Sequence, residues 1–191
     1  MDIKNELKNY KTIKLSGKEV LFNQGSKCKY VGFVLKGELT ISTITYNDRE
    51  EVISIIHEGE WFGNMLIYLD NPVFLGDVIA NRLSTVVLLN KNELNSLLQT
   101  NKEFLEYYLK QMSYKGQEIK AQNKILQHTN LKDRLLYFLK MYSKDNVYKF
   151  KSMTLLAKEL AMPRESLSRL IKTLINDGSI EKINKAIIIK Y

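Results

Sequence analysis

Hydrophobic positions along the chain change period twice. Between Val20 and Leu89 they fall in short alternating or clustered runs, broken at Gly25, Gly37 and Gly59. Such runs predict strands over 20–22, 30–35, 39–45, 51–56, 73–80 and 84–89, within a set of roughly eight. Many short strands with regular turns argue for an antiparallel roll or barrel. A short helix (Ile3, Leu7, Tyr10) precedes them. After residue 89 the period becomes helical. Leu94, Leu97 and Leu98 mark a helix over 90–99, and a Pro-free helix follows over 101–127. In the longer helix Leu105, Tyr108, Met112, Lys115, Ile119, Gln122 and Leu126 recur at alternating spacings of four and three, a heptad seam with a polar middle. Gly116 interrupts it at a cost of about 1 kcal/mol against Ala, which a close backbone approach or a kink would justify. A hinge at His128-Thr129-Asn130 leads to a helix over 131–142, capped by Asn130 or Thr129.

The last forty residues organise the rest. Ser152 is the expected N-cap of a short helix that buries Leu155, Leu156 and Leu160. A second helix repeats Leu167, Leu170, Ile171, Leu174 and Ile175 on one face. Gly178 stands where a left-handed C-cap is wanted, and strands over 180–183 and 186–190 flank the turn Asn184-Lys185. Helix, turn, helix and wing form a DNA-reading module. The face left outside carries Arg164, Glu165, Ser168, Arg169 and Lys172. Arg donates two hydrogen bonds to guanine O6 and N7, and Glu accepts from cytosine N4. With Ser152 these five residues make up the expected DNA-binding set.

The segment AMPRESLSRLIKTLINDGSI resembles the recognition helix of the cyclic-AMP receptor and fumarate–nitrate reductase regulator (Crp/Fnr) superfamily. Arg164, Glu165, Ser168 and Arg169 fall on that family's base-contacting positions. The family usually has Ser where this chain has Pro163; Pro suits a first helical turn but provides no side-chain cap. The runs VLKGEL (34–39) and GEWFG (59–63) are similar to the family's cyclic-nucleotide-binding roll. The resemblance implies that the long helix pairs with its twin, so Leu105, Tyr108, Met112, Ile119 and Leu126 are expected at a homodimer interface. It further implies palindromic DNA with TGTGA-like half-sites.

The effector site departs from that pattern. Cyclic-nucleotide binders of the family carry Phe-Gly-Glu and, about ten residues on, Arg-Ser or Arg-Thr; the Arg and Ser hold the phosphate, the Glu a ribose hydroxyl. This chain has Phe62-Gly63-Asn64, then Phe74-Leu75 by spacing, and the nearest cation, Arg82, comes eight residues late. A phosphate buried against Phe and Leu would cost several kcal/mol. Cyclic AMP is therefore not expected. Asn64, Met65, Phe74, Leu75 and Tyr108 form the candidate effector pocket, lining an apolar cavity or closing the roll as a solid core.

Composition sharpens this reading. The net charge of +8 over 191 residues is unevenly placed. Residues 1–100 hold 11 Lys and Arg against 12 Asp and Glu, and residues 129–191 hold 13 against 6. The basic excess lies with the helix-turn-helix, as phosphate contact requires. Cys28 is the single cysteine, so neither an internal disulfide nor a four-thiolate cluster is available; a lone surface or half-buried thiol is expected. His57 and His128 are expected to be solvated rather than haem ligands. No long apolar run or signal core exists, so a cytoplasmic protein off the membrane is expected.

The combined expectation is an α+β chain in three parts: a sensor-like, cyclic-nucleotide-binding-like β-roll (1–100), a dimerisation helix (101–128) and a winged helix-turn-helix (129–191). It is expected to regulate transcription as a homodimer on double-stranded DNA, without metal or cofactor, with an effector other than cyclic AMP or none. RNA polymerase is a further candidate partner. The alternatives are a winged-helix module that binds protein, and a metal-dependent barrel enzyme. The second needs several His and a carboxylate converging in the barrel, and His57 is the only His in the sheet region.

Overall fold

The computed structural model describes residues 2–46, 48 and 50–190. It divides into two compact units, Met1–Met112 and Ser113–Tyr191.

In the first unit α1 (Ile3–Leu7) precedes eight strands: β1 (Lys11–Leu15), β2 (Val20–Phe22), β3 (Tyr30–Lys36), β4 (Glu38–Ile44), β5 (Glu50–His57), β6 (Trp61–Phe62), β7 (Asp77–Ala80) and β8 (Ser84–Asn90). They form two four-stranded sheets, β1-β8-β3-β6 and β2-β7-β4-β5, with every pairing antiparallel. Two of these strands escape the hydrophobic pattern. In β1 only Leu15 is buried, because it is an edge strand pairing with β8 alone, and β6 is two residues long. The predicted strand over 73–80 is regular only from Asp77. Its first half is spent on a loop: Val73 bridges to Lys27, Phe74 N–H donates to Ser26 O, and Gly25 N–H donates to Phe74 O. That loop turns the Phe74 side chain inward.

Inward-facing Leu15, Val34, Leu39, Val78, Val86 and Leu88 form the core between the sheets, at 2% exposure or less, while Val31 and Phe33 are buried on the opposite face of their sheet, Phe33 against Trp61 at 4.9 Å. Gly37 makes the β3–β4 turn at φ +100°, and a side chain there would run into Ser84. Helix α2 (Lys91–Thr100) starts at a capping box, in which Asn90 Oδ1 accepts from Asn92 and Glu93 N–H while Glu93 accepts from Asn90 N–H.

Helix α3 (Lys102–Leu126) begins in the first unit and ends in the second. Its C-terminal end belongs to the core of the second unit, since Ile125 is 2% exposed among Leu135, Phe138 and Leu139. Then come α4 (Leu131–Tyr142), β9 (Val147–Lys149), α5 (Met153–Glu159), α6 (Arg164–Asn176), β10 (Ile180–Ile183) and β11 (Ala186–Ile189). Asn130 caps α4, accepting from Lys132 N–H at 2.8 Å. The wing is a three-stranded antiparallel sheet, β10-β11-β9. Leu167, Ile171 and Leu174 of α6 are buried. Ile175, expected on the same face, is 40% exposed; one residue past Leu174 the helix has rotated by about 100°, off the edge of that face.

Candidate nucleic-acid interface

Helix α5 ends and α6 begins within four residues. Ala161 takes φ +45°, its N–H donates to Lys158 O at 3.0 Å, and Met162 N–H donates to Ala157 O at 3.0 Å. These two bonds make a Schellman ending with Ala where Gly is usual. Ser152 caps the other end of α5, its Oγ accepting from Leu155 N–H at 3.1 Å. Pro163 occupies the N-cap of α6 (φ −59°, ψ 138°) rather than its first helical position, and gives no side-chain cap. Arg164 is thereby the first helical residue.

Arg164, Glu165, Ser168, Arg169 and Lys172 are all exposed along α6, at three- and four-residue spacing on one side. Arg169 Nη2 lies 3.6 Å from Glu165 Oε2, with side chains 80% and 87% exposed. An ion pair this open is worth about 0–1 kcal/mol, so both groups can be redirected to base edges at little cost. Past α6, Gly178 takes φ +76° and the Asp177 carboxylate accepts from Ser179 N–H at 3.0 Å and Lys132 Nζ at 3.2 Å. The Ser179 bond, with Lys132 in support, holds the Asp177 carboxyl below the usual range.

The candidate effector residues do not share one surface. Phe74 is 2% exposed and stacks on Phe22 at 4.7 Å between ring centroids. Phe22 also meets Phe62, whose ring fills the space that a side chain at Gly32 would need. Leu75 and Met65 instead face solvent, at 64% and 45% exposure. Asn64 Nδ2 approaches Met112 Sδ at 3.2 Å. Arg82, in the bend before β8, is close enough to Glu38 to help lower its carboxyl pKa.

Tyr108 was expected both in the pocket and at the dimer seam. It sits instead in the core of its own unit at 5% exposure, edge-on to Trp61 at 5.6 Å and stacked on Phe104 at 6.1 Å. Burial pushes its hydroxyl pKa up. The heptad pattern missed this because the start of α3 has to cover the roll before any other surface. Leu105, Met112 and Leu126 are half-buried and Ile119 is 41% exposed. Gln122, though on the seam by spacing, approaches Glu159 O at 3.5 Å.

Cys28, expected at the surface or half-buried, is 1% exposed, and its Sγ–H points to Tyr30 O at 3.4 Å. Burial raises its thiol pKa, which disfavours the reactive thiolate. His57 Nδ1 lies 3.0 Å from Glu38 Oε2, and the His128 ring packs on Tyr137 at 4.7 Å. Among the described residues no group of three or more His, Cys, Asp or Glu could hold a metal ion, and no helix is long and apolar enough to cross a membrane.

Residues 12–101, just under half of the chain, match the family model of the cyclic nucleotide-binding domain. No curated protein sequence matches the chain. Among solved structures, CprK complexed with OCPA superposes with a TM-score of 0.76 at 13% identity, covering 98% of this chain and 90% of CprK. A CooA variant from Carboxydothermus hydrogenoformans gives 0.70 at 17% identity, covering 100% and 88%. The c-di-GMP-responsive global regulator CLP from Xanthomonas campestris gives 0.66 at 19% identity, covering 99% and 98%. The chain has the fold of the Crp/Fnr regulators. In that fold the β-roll is the part matched by the family model, and the winged helix-turn-helix lies beyond it. In this chain Phe22 brings Phe62 and Phe74 together in the roll.

Proposed function

We propose that this protein is a sequence-specific DNA-binding transcription regulator. The observation that carries the reading is the exposed stripe Arg164, Glu165, Ser168, Arg169 and Lys172 on a well-packed α6. The helix buries Leu167, Ile171 and Leu174, so its outer face can enter a major groove without loss of core. The uncapped start of α6, with Ser152 at the start of α5, presents amide and hydroxyl donors suited to phosphate. The basic excess of residues 129–191 adds the electrostatic attraction.

The protein acts as a homodimer on a palindrome, because one recognition helix covers only half a site. Leu105, Met112, Ile119 and Leu126 of α3 supply the apolar contacts with the second copy. Transcriptional output follows from DNA occupancy, with RNA polymerase as the protein partner. Cyclic AMP is not the effector. A cyclic phosphate at Phe74-Leu75 would meet one buried ring and one exposed aliphatic chain in place of the Arg and Ser that cyclic-nucleotide binders carry. The test is selection from a pool of random duplexes, followed by affinity measurement in a salt series. A palindrome with a G·C pair in each half and a steep fall of affinity with salt supports the reading; no enriched duplex overturns it.

A further inference from the structure

The C-terminal end of α5 is tied to α3 and α4 by side chains. A helix leaves its last carbonyls without backbone partners, and here three successive ones are reached from outside. Gln122 Nε2 of α3 approaches Glu159 O at 3.5 Å. Arg134 Nη1 of α4 donates to Leu160 O at 3.1 Å and to Ala161 O at 3.3 Å. The same guanidinium donates from Nε to His128 O at 2.9 Å, just past the end of α3. One cation thus sits between two helix C-termini, where the macrodipoles favour positive charge. It holds Ala161, whose φ of +45° is costly for a residue with a Cβ.

We propose that Arg134, assisted by Gln122, is the positioning residue of the DNA-reading turn. It fixes residues 160–163, and hence the N-terminal end of α6 with Arg164 and Glu165, to the last turn of α3. The end of α3, α4 and the recognition helix then move as one piece, and a displacement at α3 reaches the base-contacting residues undiluted. Other contacts in the unit support the joint. Ile125 is buried beside Leu135 and Phe138, Lys124 lies over the Tyr137 ring at 5.6 Å, and His128 packs on the same ring. Lys132, two residues before Arg134, pairs with Asp177 at the far end of α6, so α4 holds the recognition helix at both ends. Lysine cannot replace Arg134, because an ammonium has no rigid fork with which to span three carbonyls. Arg134 touches no DNA in this scheme; it acts through the turn. The inference rests on the DNA-regulator reading for its consequence but not for its geometry.

The experiment uses the full chain carrying Arg134→Lys, which keeps the charge and removes the fork. In DNA-free protein, amide exchange at Ala161 and Met162 should quicken about tenfold or more relative to Ile171, as expected from losing charge-assisted bonds. Unchanged exchange there overturns the proposal whatever happens with DNA. On duplexes, affinity for the selected site should fall at least about tenfold, while affinity for random duplex stays within about twofold, since phosphate contacts are kept. A ratio of specific to random affinity equal to that of the parent overturns the positioning role. Parallel loss of both affinities overturns it too, since that is what a general fold defect produces. Should Arg134→Lys be too unstable to purify, Gln122→Ala unties the neighbouring carbonyl from an exposed side chain. It should accelerate the same two amides to a smaller degree, and no acceleration overturns the proposal. Failure of the parent protein to select any duplex would sink the regulator reading separately, leaving the exchange result to judge the latch.

Discussion

Phe74 lies on Phe22 with ring planes within 11° of parallel and centroids 4.7 Å apart. By spacing, Phe74 is expected where cyclic-nucleotide binders carry their phosphate-holding Arg, and its ring fills space with carbon rather than with donors. Removing the ring by Phe74→Ala should cost about 3–5 kcal/mol, read as a lowered midpoint in denaturant. Millimolar cyclic AMP should leave the parent's melting temperature and DNA affinity unchanged. A true site at a hundred times its Kd would add about 2.7 kcal/mol, so a clear upward shift would show that Phe74 is misassigned.

Recognition by α6 is expected to be residue-specific. Arg169→Ala should weaken binding to the selected duplex by about 1–3 kcal/mol and relax preference at one guanine. Lys172→Ala, if it reaches phosphate, should weaken all duplexes alike and reduce the salt slope by about one. Anisotropy titrations of both variants on matched and mismatched duplexes distinguish the two patterns.

Association should run through α3. Leu126→Glu places a charge in the expected seam, a change worth several kcal/mol unless the helices separate. Lys120→Glu, on an exposed position of the same helix, should leave assembly intact. Sedimentation at micromolar protein reads both, and a dimeric Leu126→Glu would remove α3 from the interface.

Gly116 is exposed, and a Cβ built there meets no atom within 4 Å in the single chain. Gly116→Ala should therefore raise stability by up to about 1 kcal/mol. A simultaneous change in DNA affinity would locate the added methyl against the second copy, since the chain itself has room for it.

Acid should act on the roll through Glu38. The Asn81 amide, with His57 and Arg82 in support, holds its carboxyl below the usual range. A carboxyl depressed on folding stabilises the native state above its unfolded pKa, about 4, and loses that contribution as pH falls through the folded value. Glu38→Gln should flatten this acid limb in melting temperature against pH while leaving the neutral plateau's slope unchanged. An identical acid limb in both proteins would exclude Glu38 as its source.

Much of this protein is set locally and is therefore legible along the chain. The spacing of Leu167, Ile171 and Leu174 makes α6 amphipathic wherever it lies, and its outer residues follow by rotation. Ser152, Asn130 and Gly178 mark helix ends because caps satisfy groups within a few residues. That positions 74 and 75 carry two apolar side chains is likewise read from order alone. Tertiary structure decided what depends on partners distant in sequence. Tyr108 has the spacing of a seam residue, and only its packing on Trp61 shows that it is spent on the roll. Phe74 and Leu75 are adjacent and both apolar, yet one is core and the other solvent-facing, because the loop pairing with Ser26 chose which side turns in. Arg134 reads as one more cation on a basic helix. Its work on the carbonyls of His128, Leu160 and Ala161 exists only once the ends of α3 and α5, far apart in sequence, arrive at the same guanidinium.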